Sequence, residues 1–102
     1  MRCMDTFRLQ ASFPAPRTLR LTLTGHLDAE AARLLLSTAA TAAHAVHRLE
    51  LDLGPLAGFT GDGAWALASC RKLSSLLRDG VVVHPCGGPG RELVAASLAL
   101  AS

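Results

Sequence analysis

Two occurrences of one pattern set the limits on what this chain can fold into. Leu19, Leu21 and Leu23 alternate with Arg20, Thr22 and Thr24, and Leu49, Leu51 and Leu53 alternate with Glu50 and Asp52. A period of two puts the leucines on one face of a strand and the polar residues on the other. The stretch between them has a helical period instead. From Ala29 to about Ala45, Glu30, Arg33, Ser37, Thr41 and His44 share one face, and Ala31, Leu35, Thr38, Ala42 and Val46 the other. Asp28 stands where a cap accepts the first free N–H groups of that helix. Strand, helix and strand in this order imply parallel strands joined by a right-handed crossover.

The flanking segments extend the alternation. Phe7 to Leu9 reads as a short edge strand, Ser12 to Pro16 as a turn, and Gly25 as the close of the first core strand. A second helix over Ala64 to Arg78 turns Ala66, Cys70, Leu73 and Leu77 inward and stops at Asp79-Gly80. Val81 to Val83 forms a third core strand, His84 to Gly90 a loop, and Arg91 to Ala101 a last helix with Leu93, Ala96 and Leu100 on its apolar edge. The expected fold is α/β, a mixed sheet of about four strands with parallel inner strands and helices packed on it. At 102 residues, half of them hydrophobic, the chain forms one domain over 1–102.

Composition removes several classes of function. The formal charge of +2 comes from scattered arginines and the single lysine Lys72, with no basic stripe, so nucleic acid is not an expected partner. No apolar run approaches the roughly 18 residues of a membrane span, so no membrane insertion is expected. Cys3, Cys70 and Cys86 are odd in number, and charged residues interrupt the first ten positions where a secretory leader needs an apolar core. Reduced thiols and a cytoplasmic location follow as expectations. The cysteines lack metal-ligand spacing, and no nucleophile–base pair accompanies them, so neither metal, cofactor nor catalysis is expected.

Leu49 to Leu67 is where function concentrates: a strand, a seven-residue connection, then Thr60-Gly61-Asp62-Gly63 opening a helix. Small polar residues at a helix start expose backbone N–H groups at one corner. Gly61-Asp-Gly63-Ala-Trp-Ala66 also matches a dinucleotide fingerprint as a string, but that motif needs its glycine turn directly after the strand and an acidic residue about 20 positions on. Neither condition is met. Thr60 or Asp62 is expected to cap the helix, and Gly61 and Gly63 to allow a tight turn and close packing. Trp65, the only tryptophan, falls on the flank with Ser69, Lys72 and Leu76, either filling a gap or standing at a docking surface. His26 reads as a solvated turn histidine.

The string Leu21-x-Leu23-x-Gly25-x-Leu27-Asp28, followed by Leu51-Asp52-Leu53, the small-residue turn with Gly63, Ala66-Leu67 and Gly80-Val-Val-Val, resembles the STAS domain of bacterial anti-sigma factor antagonists. The similarity runs from about Leu19 to Leu100. It implies a transcription regulator that binds an anti-sigma factor of kinase-like fold, with Gly25, Asp28, Thr60, Gly61, Asp62 and Gly63 as partner-binding residues; Trp65, where the family usually keeps a small residue, joins them by its place on the helix flank beside that corner. In that family the turn usually reads Asp-Ser-Ser-Gly, and the partner phosphorylates the first serine. Here Gly61 occupies the acceptor position and Thr60 the place of the aspartate, so no phosphorylation is expected, Thr60 being a weak substitute. Asp62 carries a fixed charge one residue along. Family members commonly add a final strand and helix, so the edge beside Val81 to Val83 is expected to be uncovered and open to a homodimer. A cytosolic accessory subunit of a lipid or anion transporter, and a small-molecule or nucleotide-binding STAS domain, are the alternative readings.

Overall fold

The structure, a computed structural model, describes residues 7–85 and 87–101. The elements are β1 (Arg8–Ala15), β2 (Thr18–Leu27), α1 (Ala29–Ala42), β3 (Arg48–Asp52), β4 (Leu56–Phe59), α2 (Gly61–Lys72), β5 (Val81–His84) and α3 (Gly88–Ala101), with a short 3-10 turn over Leu73–Leu76. Strand order is β1-β2-β3-β5, and β4 pairs with the far end of β2. β1 runs antiparallel to β2, while β3, β4 and β5 are parallel to their partners. The alternating leucines build the core as expected: Leu19, Leu21, Leu23, Leu49, Leu51 and Leu53 are all buried, and Leu35, Leu67 and Leu93 from the three helices close over them.

The fifth strand was not legible in the sequence. The seven-residue connection contains β4, which continues the line of β3 and pairs with β2 at Gly25↔Leu56 and His26↔Gly58. Accordingly Gly25 does not end β2. It takes φ 93 where the register shifts between Gly25 and His26, the backbone conformation a glycine bulge supplies. His26 lies on this strand end and not in a turn. The proposed turn over Ser12 to Pro16 is also corrected. Pro14 sits inside β1, an edge strand where a missing N–H costs no ladder bond, and only residues 16 and 17 turn.

Helix limits moved as well. α1 ends at Ala42, and its buried stripe is Ala31, Ala32, Leu35 and Ala39, leaving Thr38, Ala42 and Val46 half-buried. α2 starts at Gly61 and gives way at Leu73 to the tighter turn, so Leu73 is half-buried while Leu77 reaches the core from beyond the helix. β5 runs to His84 and α3 begins at Gly88, so both ends of the expected loop belong to these elements. Its inward side carries Leu93 and Ser97, whose hydroxyl donates to the Val94 carbonyl at 2.8 Å; Leu100 is exposed. Cys3 and Cys86 lie outside the described residues. Cys70 is buried, and burial pushes its thiol up to about 12. All three helices cover one face of the sheet, α2 packing between α1 and α3.

The opposite face is polar. Glu50, at the centre of β3, accepts from Arg20 Nε at 2.9 Å and pairs with Arg20 Nη2 at 2.8 Å, with Arg48 Nε at 3.0 Å, and with His84 Nε2 at 3.5 Å. Its side chain is 10% exposed. Burial pushes its pKa upward, but the hydrogen bond and charge of Arg20, with Arg48 and His84, outweigh burial and hold it below the ordinary carboxylate value.

Candidate functional corner

β2 and β4 deliver two chain segments to one corner of the molecule. The Thr60 N–H donates to the Leu27 carbonyl at 3.0 Å, which ties the start of α2 to the end of β2. Asp28 then caps α1, its Oδ1 accepting from the Ala31 N–H at 2.9 Å as the sequence predicts. The N-termini of α1 and α2 therefore stand side by side.

Within this corner the expected residues divide by role. Gly25 and Gly63 are buried. A Cβ on Gly63 would lie 2.7 Å from the Leu27 carbonyl oxygen and 3.0 Å from two Leu27 side-chain carbons, so this glycine lets α2 seat on β2. Gly61 is the reverse: it is exposed, its Cβ position meets nothing within 4 Å, and it occupies the first helical residue of α2. Asp62 is exposed in the first turn, where a negative charge complements the helix dipole.

Capping at α2 departs from expectation. Thr60 holds the cap position through its backbone, with the Ala64 N–H donating to its carbonyl at 3.2 Å, but its side chain makes no cap hydrogen bond, and Oγ1 is buried without a hydrogen-bond partner among the described residues. Asp62 lies inside the helix and is not the cap residue either. One ground against a dinucleotide site is corrected: β4 ends one residue before Thr60, so a strand does directly precede the turn. The missing acidic residue still excludes the motif, and Gly63 is filled by Leu27 and offers no cradle to a phosphate.

Trp65 is 55% exposed. Together with Asp62 it lines a shallow groove of about 200 Å³, floored by Ala29 and Ala32 of α1 and rimmed by Arg33. Arg33 and Asp62 make no ion pair with any described residue, in contrast to the arginines around Glu50. Sequence reasoning placed Trp65 on the correct flank of α2. It missed the α1 side of the groove, although Ala29, Ala32 and Arg33 are spaced as neighbours on one helical face. Among the described residues no cluster of three or more His, Cys, Asp or Glu is placed to hold a metal, and no helix is long and apolar enough to cross a membrane.

One β-hairpin strand leading into a parallel sheet, three helices on one face and a capped corner where β2 and β4 end define an α/β domain of the STAS fold. Among solved structures, the anti-sigma factor antagonist SpoIIAA in its unphosphorylated form matches with a TM-score of 0.67 and 20% identity, over 86% of this chain and 82% of that one. The phosphorylated form of SpoIIAA, described as a Bacillus cell fate determinant, matches with a TM-score of 0.69 and 20% identity, over 92% and 86%. A part of the larger protein Mglu matches at 0.59 and 19% identity, over 74% of this chain and 18% of its own. No family model matches the chain, and neither does any curated protein sequence.

Proposed function

We propose that this protein is a non-enzymatic docking domain of the anti-sigma factor antagonist type, which binds a kinase-fold anti-sigma partner at the corner formed by Gly25–Asp28 and Thr60–Trp65. The observation that carries the reading is Trp65. A large aromatic ring left more than half exposed, beside an alanine-floored groove whose rim carries Arg33 and Asp62, neither ion-paired among the described residues, has the composition of an interface anchor. The STAS fold shared with SpoIIAA supports the choice of partner.

In this reading the interaction is not switched by phosphate. Gly61 stands at the acceptor position and has no hydroxyl, while Asp62 keeps a permanent negative charge at the same helix end. Thr60 Oγ1 is buried, which shields it from a kinase. A paired pull-down from native cell extract tests the proposal. The wild type retains a protein of kinase fold that Trp65→Ala loses. Equal retention by both proteins, or capture of no kinase-fold protein, contradicts it.

A further inference from the structure

The topology gives the molecule two unlike ends. β2, β3 and β5 all start at one of them, and α1 and α2 finish there. Main-chain bonds tie its connecting segments together: the Arg17 carbonyl accepts from the His47 and Arg48 N–H groups at 2.7 and 3.2 Å, and the His47 carbonyl accepts from the Asp79 N–H at 2.7 Å. Arg17 does this at φ 58, a backbone conformation that favours glycine, so a cation stands where a side chain is costly to hold.

Charges that are scattered along the sequence are gathered here by the fold. Arg17, Arg71, Lys72 and Arg78 are exposed at this end, with Asp79 the only exposed acidic side chain among its described residues. None of these cations makes an ion pair with a described residue, whereas Arg48 beside them is engaged by Glu50. The dipole of α2 accounts for Arg71 and Lys72 in its last turn, but Arg17 and Arg78 lie in turns between elements. Two large apolar side chains are left open among them. Leu76 is 59% exposed in the chain between Lys72 and Arg78, and Phe13 is 69% exposed on β1, two residues before the Ala15↔Thr18 pair that closes the same end.

We propose that this end docks on an anionic lipid surface, lying against it without spanning it. Headgroup phosphates answer the unpaired cations, and the acyl boundary just beneath them takes up Leu76 and Phe13. A nucleic acid backbone would answer the cations alone and leave the exposed leucine without a partner. A protein interface centres on a packed anchor, whereas long, freely rotating Lys and Arg heads around single apolar side chains suit a fluid surface that adapts to them. The opposite end, where acidic residues such as Asp28, Glu30, Asp52 and Asp62 prevail, is repelled by the same lipid and turns away from it. Because α2 runs from one end to the other, the Trp65 corner stays free when the basic end is occupied.

The test is co-sedimentation with vesicles of phosphatidylcholine alone and of phosphatidylcholine containing roughly one-quarter phosphatidylglycerol, at about 0.1 M salt. The wild type binds the anionic vesicles and not the neutral ones, and about 0.5 M salt weakens binding at least about tenfold. Lys72→Glu combined with Arg78→Glu weakens it at least about tenfold, and Leu76→Ser about threefold or more, with melting temperatures near that of the wild type because these side chains are exposed. Arg8→Glu combined with Arg91→Glu makes the same change of net charge at the other end and leaves binding within about twofold. Equal binding to neutral and anionic vesicles, or none to either, overturns the proposal without recourse to any variant. So does an equal loss from the two charge-reversed pairs, which would make net charge and not this end the cause. Tighter binding of a DNA duplex or of polyglutamate than of the anionic vesicles at the same salt would also overturn it, by assigning the end to nucleic acid or to an acidic protein.

Discussion

The polar face of the sheet and the corner at α2 both carry charged side chains, yet they use them in opposite ways. Around Glu50 three cationic or protonatable groups converge within 3.5 Å of one carboxylate, so the charges of this face are paired within the fold, although Arg20 alone among them also makes a hydrogen bond to it. At the corner, Arg33 and Asp62 line the same groove as Trp65, and neither makes an ion pair with a described residue. Charges of the first kind stabilise the fold, while those of the second kind are available to another molecule. The same division runs through the glycines, since Gly63 is pressed against Leu27 and Gly61 faces open space.

This contrast can be broken most directly at Gly63. Placing a methyl group 2.7 Å from a backbone oxygen forces α2 off β2, because a carbonyl in a strand cannot rotate away as a side chain can. Gly63→Ala is therefore expected to lower stability by about 3 kcal/mol, near the upper end for overpacked cores, as read by urea denaturation. An unchanged midpoint would mean that the glycine is not needed for packing.

Glu50 comes next in size. Glu50→Ala leaves Arg20 and Arg48 side by side with no counter-charge; because both arginines are partly in solvent, the cost falls below that of a fully buried pair, at about 2 kcal/mol. The pH dependence carries the same signature. A carboxyl whose folded pKa is depressed adds stability that is complete above its ordinary value of 4.5 and is lost as pH falls through the lower folded value. Stability of the wild type should thus fall more steeply below about pH 4.5 than that of Glu50→Ala, measured by denaturant titration across that range. Parallel pH profiles would place the cluster among solvated surface charges.

The smallest stability effect belongs to Gly61→Ser. The new side chain meets no atom within 4 Å, and a first-turn serine is tolerated by a helix, so the change should stay within about 0.5 kcal/mol. Its effect is chemical. Incubated with ATP and a kinase-type anti-sigma factor, the variant gains a phosphate at residue 61 by mass spectrometry and the wild type gains none. Phosphate on Thr60 of the wild type would show that its buried hydroxyl is accessible after all.

How much of this could be read beforehand depended on the range of the interaction. The leucine alternation at 19–23 and 49–53 fixed two core strands and their parallel pairing, because burial of one sheet face is written locally with period two. β4 was missed because Leu56-Ala-Gly-Phe59 has neither the length nor the alternation of a strand, and it pairs only because the bulge at Gly25 redirects β2 toward it. Asp28 was readable as a cap since the N–H that donates to it lies three residues away, while the loss of the Thr60 cap depends on how β2 and β4 hold that residue. The groove lay beyond reach for the same reason: Arg33 and Trp65 are neighbours only once α1 and α2 are packed.

The central claim, that the corner docks a partner through Trp65, is tested by titrating the kinase-fold protein retained in the pull-down into wild type and Trp65→Ala by calorimetry, with thermal melts of both. An exposed anchor loses about 2 kcal/mol or more of binding energy on truncation while the melting temperature moves little. A variant that binds as tightly as wild type, or one that melts far below it with the roughly 3 to 5 kcal/mol loss of a core tryptophan, would contradict the account.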